Sequence, residues 1–241
     1  QGNVISGNTN EGIRIGSSVA TATYPMYIRG NKIGVASDGI TAKANGLNGI
    51  AVVNGSRHIV VGGAGVGEGN IIAHNSQNGV QITDLSTGNV TVRGNSIFAN
   101  NLRGIDLGGV PNASDPIDLT DSDTGANDLQ NYPRRTTLTK CDGSTEVRTV
   151  LRSLANTTYI IDFYANPSGR DATGYGEGEQ YLSSTTVTTN SNGYAEITPP
   201  AATNLSMTAT STCSMRRCAL GWWLPVGCSG KRRWRLGRLD P

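Results

Sequence analysis

The residues best suited to bind a metal ion lie in an acidic stretch, residues 110–131, where carboxylates gather around Gly125. Oxygen ligands at alternate positions beside a glycine turn suit a hard cation such as Ca²⁺. The spacing D-x-D-x-G-x-N departs from the EF-hand loop, which has glycine at position six and a closing glutamate. The pattern makes this stretch a candidate calcium site, but a polar linker that uses Asp and Asn to make turns is the favoured interpretation. The candidate ligands are Asp118, Asp121, Asp123 and Asn127.

Three side chains that should point outward from one predicted sheet could bind a sugar. They are Tyr27, Arg29 and Arg93. An aromatic ring beside two arginines can stack on and pair with an acidic sugar, so the expected partner is a polysaccharide or a cell-surface glycan. The alternative is an ordinary solvated face with a protected apolar middle.

Catalysis of glycoside cleavage would need two carboxylates that face each other across the scissile bond. The outward positions of a second predicted sheet do not place two carboxylates on neighbouring turns, and we assign no catalytic residue. These positions are Arg14, Ala51, Gln81 and Asp106, preceded by Glu11, Asn48, Asn78 and Arg103. We expect a structural role for both histidines, because His58 falls in register with Met26 and Val90 and His74 falls at a repeat corner.

The element that must position these side chains is a repeat that occurs three times. Residues 2–16 (GNVISGNTNEGIRIG), 69–83 (GNIIAHNSQNGVQIT) and 94–108 (GNSIFANNLRGIDLG) align without a gap. Short strands that recur at this interval can bury their inward side chains only by stacking on copies of themselves, which predicts a parallel β-helix. The corner asparagines Asn8, Asn75 and Asn100 should stack their amides into a hydrogen-bonded ladder along the axis.

A third apolar column contains Ile28, Val60 and Val92, evenly spaced at 32 residues, and these are predicted to face inward. Segments 17–23, 35–46 and 62–69 interrupt the repeat and should emerge at corners. Segment 62–69 (GGAGVGEG) lacks the Lys-Ser/Thr ending of a phosphate loop and precedes a strand-like run, so a β-helix corner is favoured.

The pattern G-N-x-I…N-x-x-G-I-x-I resembles the right-handed parallel β-helix proteins that bacteria secrete or display, over about residues 1–109. That pectate-lyase-like superfamily includes pectate lyases, polygalacturonases, mannuronan epimerases and adhesin-like proteins. The resemblance implies a right-handed parallel β-helix of about four rungs, or turns of the solenoid, and a secreted or cell-surface location. The polygalacturonase motifs Asn-Thr-Asp, Asp-Asp, Gly-His-Gly and Arg-Ile-Lys do not occur in this sequence.

The remaining chain divides into two further regions. After the β-helix and its acidic exit (residues 1–131), residues 136–210 contain strand-like segments separated by turn residues, which predict a small antiparallel β-sandwich. This region resembles the sandwich module appended to secreted β-helix proteins, and its loop 165–180 is expected to be exposed and polar. Residues 211–241 form an atypical basic tail with all three Trp, interpreted as out of frame or disordered. Binding to nucleic acid or an anionic membrane is the alternative for the tail.

The charge distribution sets limits on partners and location. Residues 212–241 hold seven Lys/Arg and one Asp, so they contribute +6 to the net charge of +2 and leave −4 for the body. This charge does not favour nucleic acid as a partner of the body. The sequence contains no run of about 18 apolar residues, so no membrane span is predicted. The chain starts within a repeat unit, and we expect an export signal to be missing from this fragment.

Two functions remain at the level of sequence. The first is a non-catalytic secreted or cell-surface β-helix protein that acts in adhesion or glycan contact. The alternative is a fragment of a polysaccharide lyase, hydrolase or epimerase whose catalytic rungs lie upstream of residue 1. No cofactor other than Ca²⁺ is predicted.

Overall fold

The computed structural model describes residues 2–17, 21, 23–108, 121–139, 145–169, 177–200 and 205–211. In this part the chain is all-β, with seventeen strands and one short 3-10 helix at Ala126–Leu129. Asp118 and the basic tail, residues 212–241, lie outside the described residues.

The first eleven strands form three parallel sheets. The strands are β1 (Val4–Ile5), β2 (Ile13–Gly16), β3 (Met26–Ile28), β4 (Lys32–Ile33), β5 (Ile50–Val53), β6 (Arg57–Gly62), β7 (Ile71–Ala73), β8 (Val80–Ile82), β9 (Gly88–Arg93), β10 (Ser96–Phe98) and β11 (Ile105–Leu107). Sheet 1 has the order β1-β4-β7-β10, sheet 2 the order β11-β8-β5-β2, and sheet 3 the order β3-β6-β9. Because the chain visits the three sheets in turn and every pairing among them is parallel, the stacked arrangement fits the predicted β-helix.

The inward side chains of the three sheets form one continuous core. In sheet 1, Ile5 pairs with Ile33, Ile33 with Ile72 and Ile72 with Ile97, so one aliphatic position stacks on itself along the axis. Each such isoleucine is removed from water by the copies above and below it and by the inward side chains of the other two sheets, which explains why short strands of two to four residues are stable here.

The predicted register of sheet 3 is wrong by one residue in its middle strand. Ile28 pairs with Val61 and Val61 with Val92, so Val61 faces the core and Val60 lies on the outward face. An inward Val60 would place its neighbour Ile59 on the outward face, but Ile59 is buried as well. The spacings are 33 and 31 residues rather than an even 32, and a shift of one residue reverses the face of every side chain in a strand. The same shift puts Ile59, not His58, beside Met26 and Val90.

The asparagine ladder is confirmed. The Asn8 amide donates to the Asn45 oxygen at 2.8 Å, Asn45 to Asn75 at 2.9 Å and Asn75 to Asn100 at 2.9 Å. A second ladder follows the other corner of sheet 1 and contains Asn3, Asn31, Asn70 and Asn95. Each buried amide keeps its hydrogen bonds because the next turn offers the same group, so the ladders remove the cost of burying these polar side chains.

The later strands form two antiparallel sheets. They are β12 (Arg134–Thr139), β13 (Thr145–Arg152), β14 (Thr158–Ala165), β15 (Gln180–Thr188), β16 (Tyr194–Ile197) and β17 (Leu205–Ser211). Sheet 4 has the order β12-β13-β16 and sheet 5 the order β15-β14-β17. Both sheets contribute to one buried cluster of Leu151, Tyr159, Ile161, Phe163 and Ile197. This core is separate from the core of the parallel sheets.

Candidate functional site

Tyr27 and Arg29 lie on or beside the edge strand of sheet 3 and contact each other. The Arg29 guanidinium carbon lies 4.1 Å from the centre of the Tyr27 ring, within the range of a cation–π contact. Arg29 also forms a 2.7 Å ion pair with Glu68, and its Nε donates to the Gly62 carbonyl at 3.1 Å. The other Glu68 oxygen accepts the Gly65 amide at 3.0 Å. The arginine is therefore fixed against the ring by segment 62–69, and its charge is balanced locally.

Arg93 lies two strands further along the same face, on β9, but binds a partner in sheet 5. Its Nε and Nη2 donate to the two oxygens of Asp162 at 3.0 and 2.7 Å, a two-pronged ion pair. The Asp162 side chain is 1% exposed and the Arg93 side chain 17%. The hydrogen bonds that Arg93 donates to Asp162 raise the pKa of its guanidinium against the opposing effect of burial. The structure therefore places Tyr27 with Arg29 but directs Arg93 into a contact that links the two groups of sheets.

The acidic exit segment uses several of its predicted metal ligands within the fold. The Asp121 carboxylate accepts the Asn131 amide at 3.0 Å and also contacts Ser153. The Asn127 side-chain oxygen accepts the Val90 amide at 2.9 Å. Asp123 differs, because one of its carboxylate oxygens is buried without a hydrogen-bond partner.

Across the described ranges, no group of three or more His, Cys, Asp or Glu side chains is arranged to hold a metal ion. Asp121 and Asn127 are engaged as above, and Asp118 lies outside those ranges. The calcium site stays a prediction.

The outward positions of sheet 2 form a polar network of balanced charges. Arg103 donates to Asp106 at 2.9 Å, and both side chains are almost completely buried. Glu11 pairs with Arg14 at 3.1 Å on the more exposed part of the same face. Each of these two acids is thus the partner of a neighbouring arginine in an ion pair.

The junction segment, residues 177–179, was predicted to belong to an exposed loop, and that prediction is wrong for Glu177. Its side chain is 6% exposed. Gly178 forms a two-way antiparallel bridge with Ile97 on β10, with N–H···O distances of 2.8 and 3.0 Å. The Glu177 carboxylate accepts the Asn100 side-chain amide at 2.9 Å, so it ends the asparagine ladder. Because no further asparagine follows Asn100 in the ladder, Glu177 supplies the acceptor that the next asparagine would otherwise provide.

A tyrosine completes the contact between the two groups of sheets. The Tyr164 hydroxyl accepts the Gly94 amide at 2.9 Å, and burial raises the pKa of this phenol. Tyr164 also packs edge-on against Tyr181, with ring centres 5.6 Å apart. In the sequence, Tyr164 is one of several tyrosines in a strand-rich region, and nothing in their spacing indicates that it reaches a turn 70 residues away.

The comparison with known protein-family models gives no match, and neither does the comparison with curated proteins. In the part of the chain that the structure describes, no helix has the length and apolar character needed to cross a membrane.

Proposed function

We propose that this chain is the non-catalytic scaffold of a secreted or cell-surface protein and that it acts in adhesion through contact with glycans. In this proposal the parallel sheets are a right-handed, pectate-lyase-like β-helix of about four rungs, and the antiparallel sheets are an appended β-sandwich. The observation that carries the proposal is a group of exposed apolar and aromatic side chains at the edge of sheet 3.

We call this group of exposed side chains the platform. It comprises Tyr24, Met26 and Tyr27, which are 80%, 41% and 54% exposed. Large apolar side chains gathered on a surface cost solvation and typically mark a binding site. The apolar face of a sugar ring can pack on the electron-rich face of a tyrosine, while the phenol hydroxyl remains available for hydrogen bonds. Tyr27 is held by the stacked Arg29, so little conformational freedom is lost when a ligand binds.

The charge around the platform favours a neutral sugar over an acidic one. Arg29 is neutralised by Glu68 at 2.7 Å, and Arg93 is neutralised by Asp162 at 2.7 Å. Neither guanidinium is left with an unbalanced charge to attract a uronic acid. The expected ligand class is therefore a neutral hexose or hexosamine chain that packs on Tyr27 rather than a polyuronate.

The experiment is a glycan array that carries neutral and uronate oligosaccharides, followed by titration of the best ligand. Tyr27→Ala should weaken binding about tenfold, the loss expected for one aromatic contact of about 1.4 kcal/mol. Tyr194→Ala is the matched control, because Tyr194 also faces an arginine, Arg152 at 5.4 Å, but lies on β16. Its affinity should equal that of the unsubstituted chain.

Two outcomes would contradict the proposal. The first is equal binding by the Tyr27→Ala variant and its control, which would show that Tyr27 does not contribute to ligand binding. The second is release of sugar products from a polysaccharide incubated with the full chain, which would contradict the non-catalytic assignment.

A further inference from the structure

We propose that Glu68 is the specificity-determining residue of the platform. Its carboxylate fills the place that the carboxylate of a uronic acid would take in a glycan that packs on Tyr27, so the platform excludes acidic sugars. This role rests on the glycan contact proposed above and assigns the choice of ligand to one side chain. Glu68 lies outside the strands of sheet 3, in the connection between β6 and β7.

The Glu68 carboxylate lies between two donors that would suit any carboxylate. One of its oxygens is 2.7 Å from Nη1 of Arg29, and the other accepts the backbone N–H of Gly65 at 3.0 Å. Hydrogen bonds to an ionised carboxylate are short and about twice as strong as neutral ones, and here each oxygen receives one. The arrangement is therefore a small carboxylate-binding site, and Glu68 is its occupant.

Both donors are held in place by contacts that do not involve the Glu68 carboxylate. Nε of Arg29 donates to the Gly62 carbonyl at 3.1 Å. The corner that carries Gly65 is held by backbone hydrogen bonds, from the Glu68 N–H to the Gly65 carbonyl at 3.1 Å and from the Gly30 N–H to the Glu68 carbonyl at 3.2 Å. Truncation of the Glu68 side chain should therefore leave an open site whose donors are already oriented, which favours binding of another carboxylate.

Two glycines of segment 62–69 leave the room that this carboxylate uses. A Cβ atom at Gly65 would lie 2.8 Å from Oε2 of Glu68, and a Cβ atom at Gly63 would lie closer still. A larger residue at either position would therefore displace the carboxylate or the backbone of the corner. Glycine permits such a close approach between the backbone and a bound group, and here the bound group is the side chain of Glu68.

The site is accessible from solvent and lies next to the platform. The Arg29 and Glu68 side chains are 37% and 33% exposed, so a ligand in solution can reach the guanidinium. The guanidinium carbon is 4.1 Å from the centre of the Tyr27 ring, so a carboxylate at Arg29 and a sugar ring on Tyr27 can belong to one glycan. With Glu68 in place, that carboxylate would meet a like charge, and juxtaposed like charges disfavour a ligand strongly. A neutral sugar meets no such repulsion.

The experiment titrates the full chain with two oligosaccharides of equal length and linkage, one of neutral hexoses and one of the corresponding hexuronates. The measured quantity is the ratio of the uronate affinity to the neutral affinity. Glu68→Ala should raise this ratio about tenfold, because it opens the carboxylate site and leaves the Arg29 charge unbalanced. The increase should shrink as salt is added, since it depends on a charge that is partly exposed.

Three further variants test the cause of this increase. Glu11→Ala is the matched control, because it removes the same charge from an ion pair of 3.1 Å with Arg14 on β2. Its affinity ratio should equal that of the unsubstituted chain. Glu68→Gln removes the charge but keeps the size of the side chain, so it should raise the ratio even if Glu68→Ala disturbs the corner. Addition of Arg29→Gln to Glu68→Ala should abolish the increase.

Three results would overturn the role of Glu68. They are an unchanged ratio in both Glu68 variants, an equal increase in Glu11→Ala, and an increase that survives the loss of Arg29. If any of these occurs while Tyr27→Ala still weakens neutral binding, the proposed function stands and only the role of Glu68 is lost. If Tyr27→Ala leaves neutral binding unchanged, the glycan contact itself is wrong and the role of Glu68 is lost with it.

Discussion

Arg93 lies on the outward face of sheet 3, but its charge is paired within the molecule rather than exposed to a ligand. The repeat pattern correctly places it at an outward position of sheet 3, next to Gly62 in the stack. The pattern does not reveal that Asp162 approaches from sheet 5 and takes both ends of the guanidinium fork. Two charges removed from water are tolerated only as a well-matched pair, so each of these residues depends on the other.

Replacement of Asp162 by asparagine should therefore destabilise the folded chain. Asp162→Asn leaves the Arg93 charge largely buried without its counter-ion, and we expect a loss of about 3 kcal/mol in the free energy of unfolding. The matched control is Glu196→Gln, which removes the partner of Arg148 at 2.6 Å on an exposed surface. This control should lose about 1 kcal/mol or less. Urea unfolding measures both, and equal losses would contradict the structural role of the Arg93 pair.

At the scale of the element, the asparagine ladder could be predicted from sequence because the same residue type returns at the same corner of each repeat. Asn8, Asn75 and Asn100 align directly. Asn45 also belongs to the ladder, although an insertion before it hides its alignment. A ladder is a local consequence of stacking, and stacking is what the repeat encodes.

A single change in the middle of the ladder should be costly. The Asn75 amide donates to Asn100 and its oxygen accepts from Asn45. Asn75→Asp removes the donor, sets two oxygens against each other, and should cost about 2–3 kcal/mol of unfolding free energy. Asn101→Asp, on the exposed neighbouring position, should stay within about 0.5 kcal/mol. Thermal and urea unfolding compare the two, and a small effect at Asn75 would show that the ladder does not stabilise the stack.

Strand positions followed from the sequence more reliably than strand pairing did. Residues 157–164 (TTYIIDFY) are rich in β-branched and aromatic residues, which indicates a strand, and β14 agrees with this stretch to within one residue. In contrast, the register of sheet 3 could not be read from an even spacing, since Val61 follows its partner Ile28 by 33 residues and precedes its partner Val92 by 31. Hydrophobic alternation gives the face of a strand only when its register is known.

At the scale of the whole molecule, the contacts between the two groups of sheets were not accessible from sequence. Arg93 and Asp162 are 69 residues apart, and Asn100 and Glu177 are 77 apart. Neither pair lies in a repeat that could have aligned it. The sequence marked segment 165–180 only by its polar composition, which is equally typical of an exposed loop. The contact of Tyr27 with Arg29 could be predicted in part, because these residues lie on and beside a recognisable strand, but the neutralisation of Arg29 by Glu68 depends on the path of segment 62–69.

Loss of the Glu177 carboxylate should loosen the junction. In Glu177→Ala the backbone N–H of Asn100 loses its acceptor. We therefore expect hydrogen exchange at the backbone amides of Asn100 and Ile97 to accelerate at least about tenfold. Glu179→Ala is the control, because the Glu179 side chain binds Ser168 while only its backbone carbonyl contacts β10. Its exchange at Ile97 should match that of the unsubstituted chain. Unchanged protection in Glu177→Ala would show that the bridge to Gly178 holds the junction alone.

The bridge between Ile97 and Gly178 also has a consequence for growth by self-assembly. An edge strand that exposes its backbone hydrogen-bonding groups can pair with a strand of another copy, and repeated pairing of this kind forms a polymer. On sheet 1 that addition would occur at β10, where Gly178 already occupies the backbone groups of Ile97 and Glu177 occupies the last asparagine. The junction segment thus covers the β10 edge of sheet 1, so a further repeat cannot pair with β10 there.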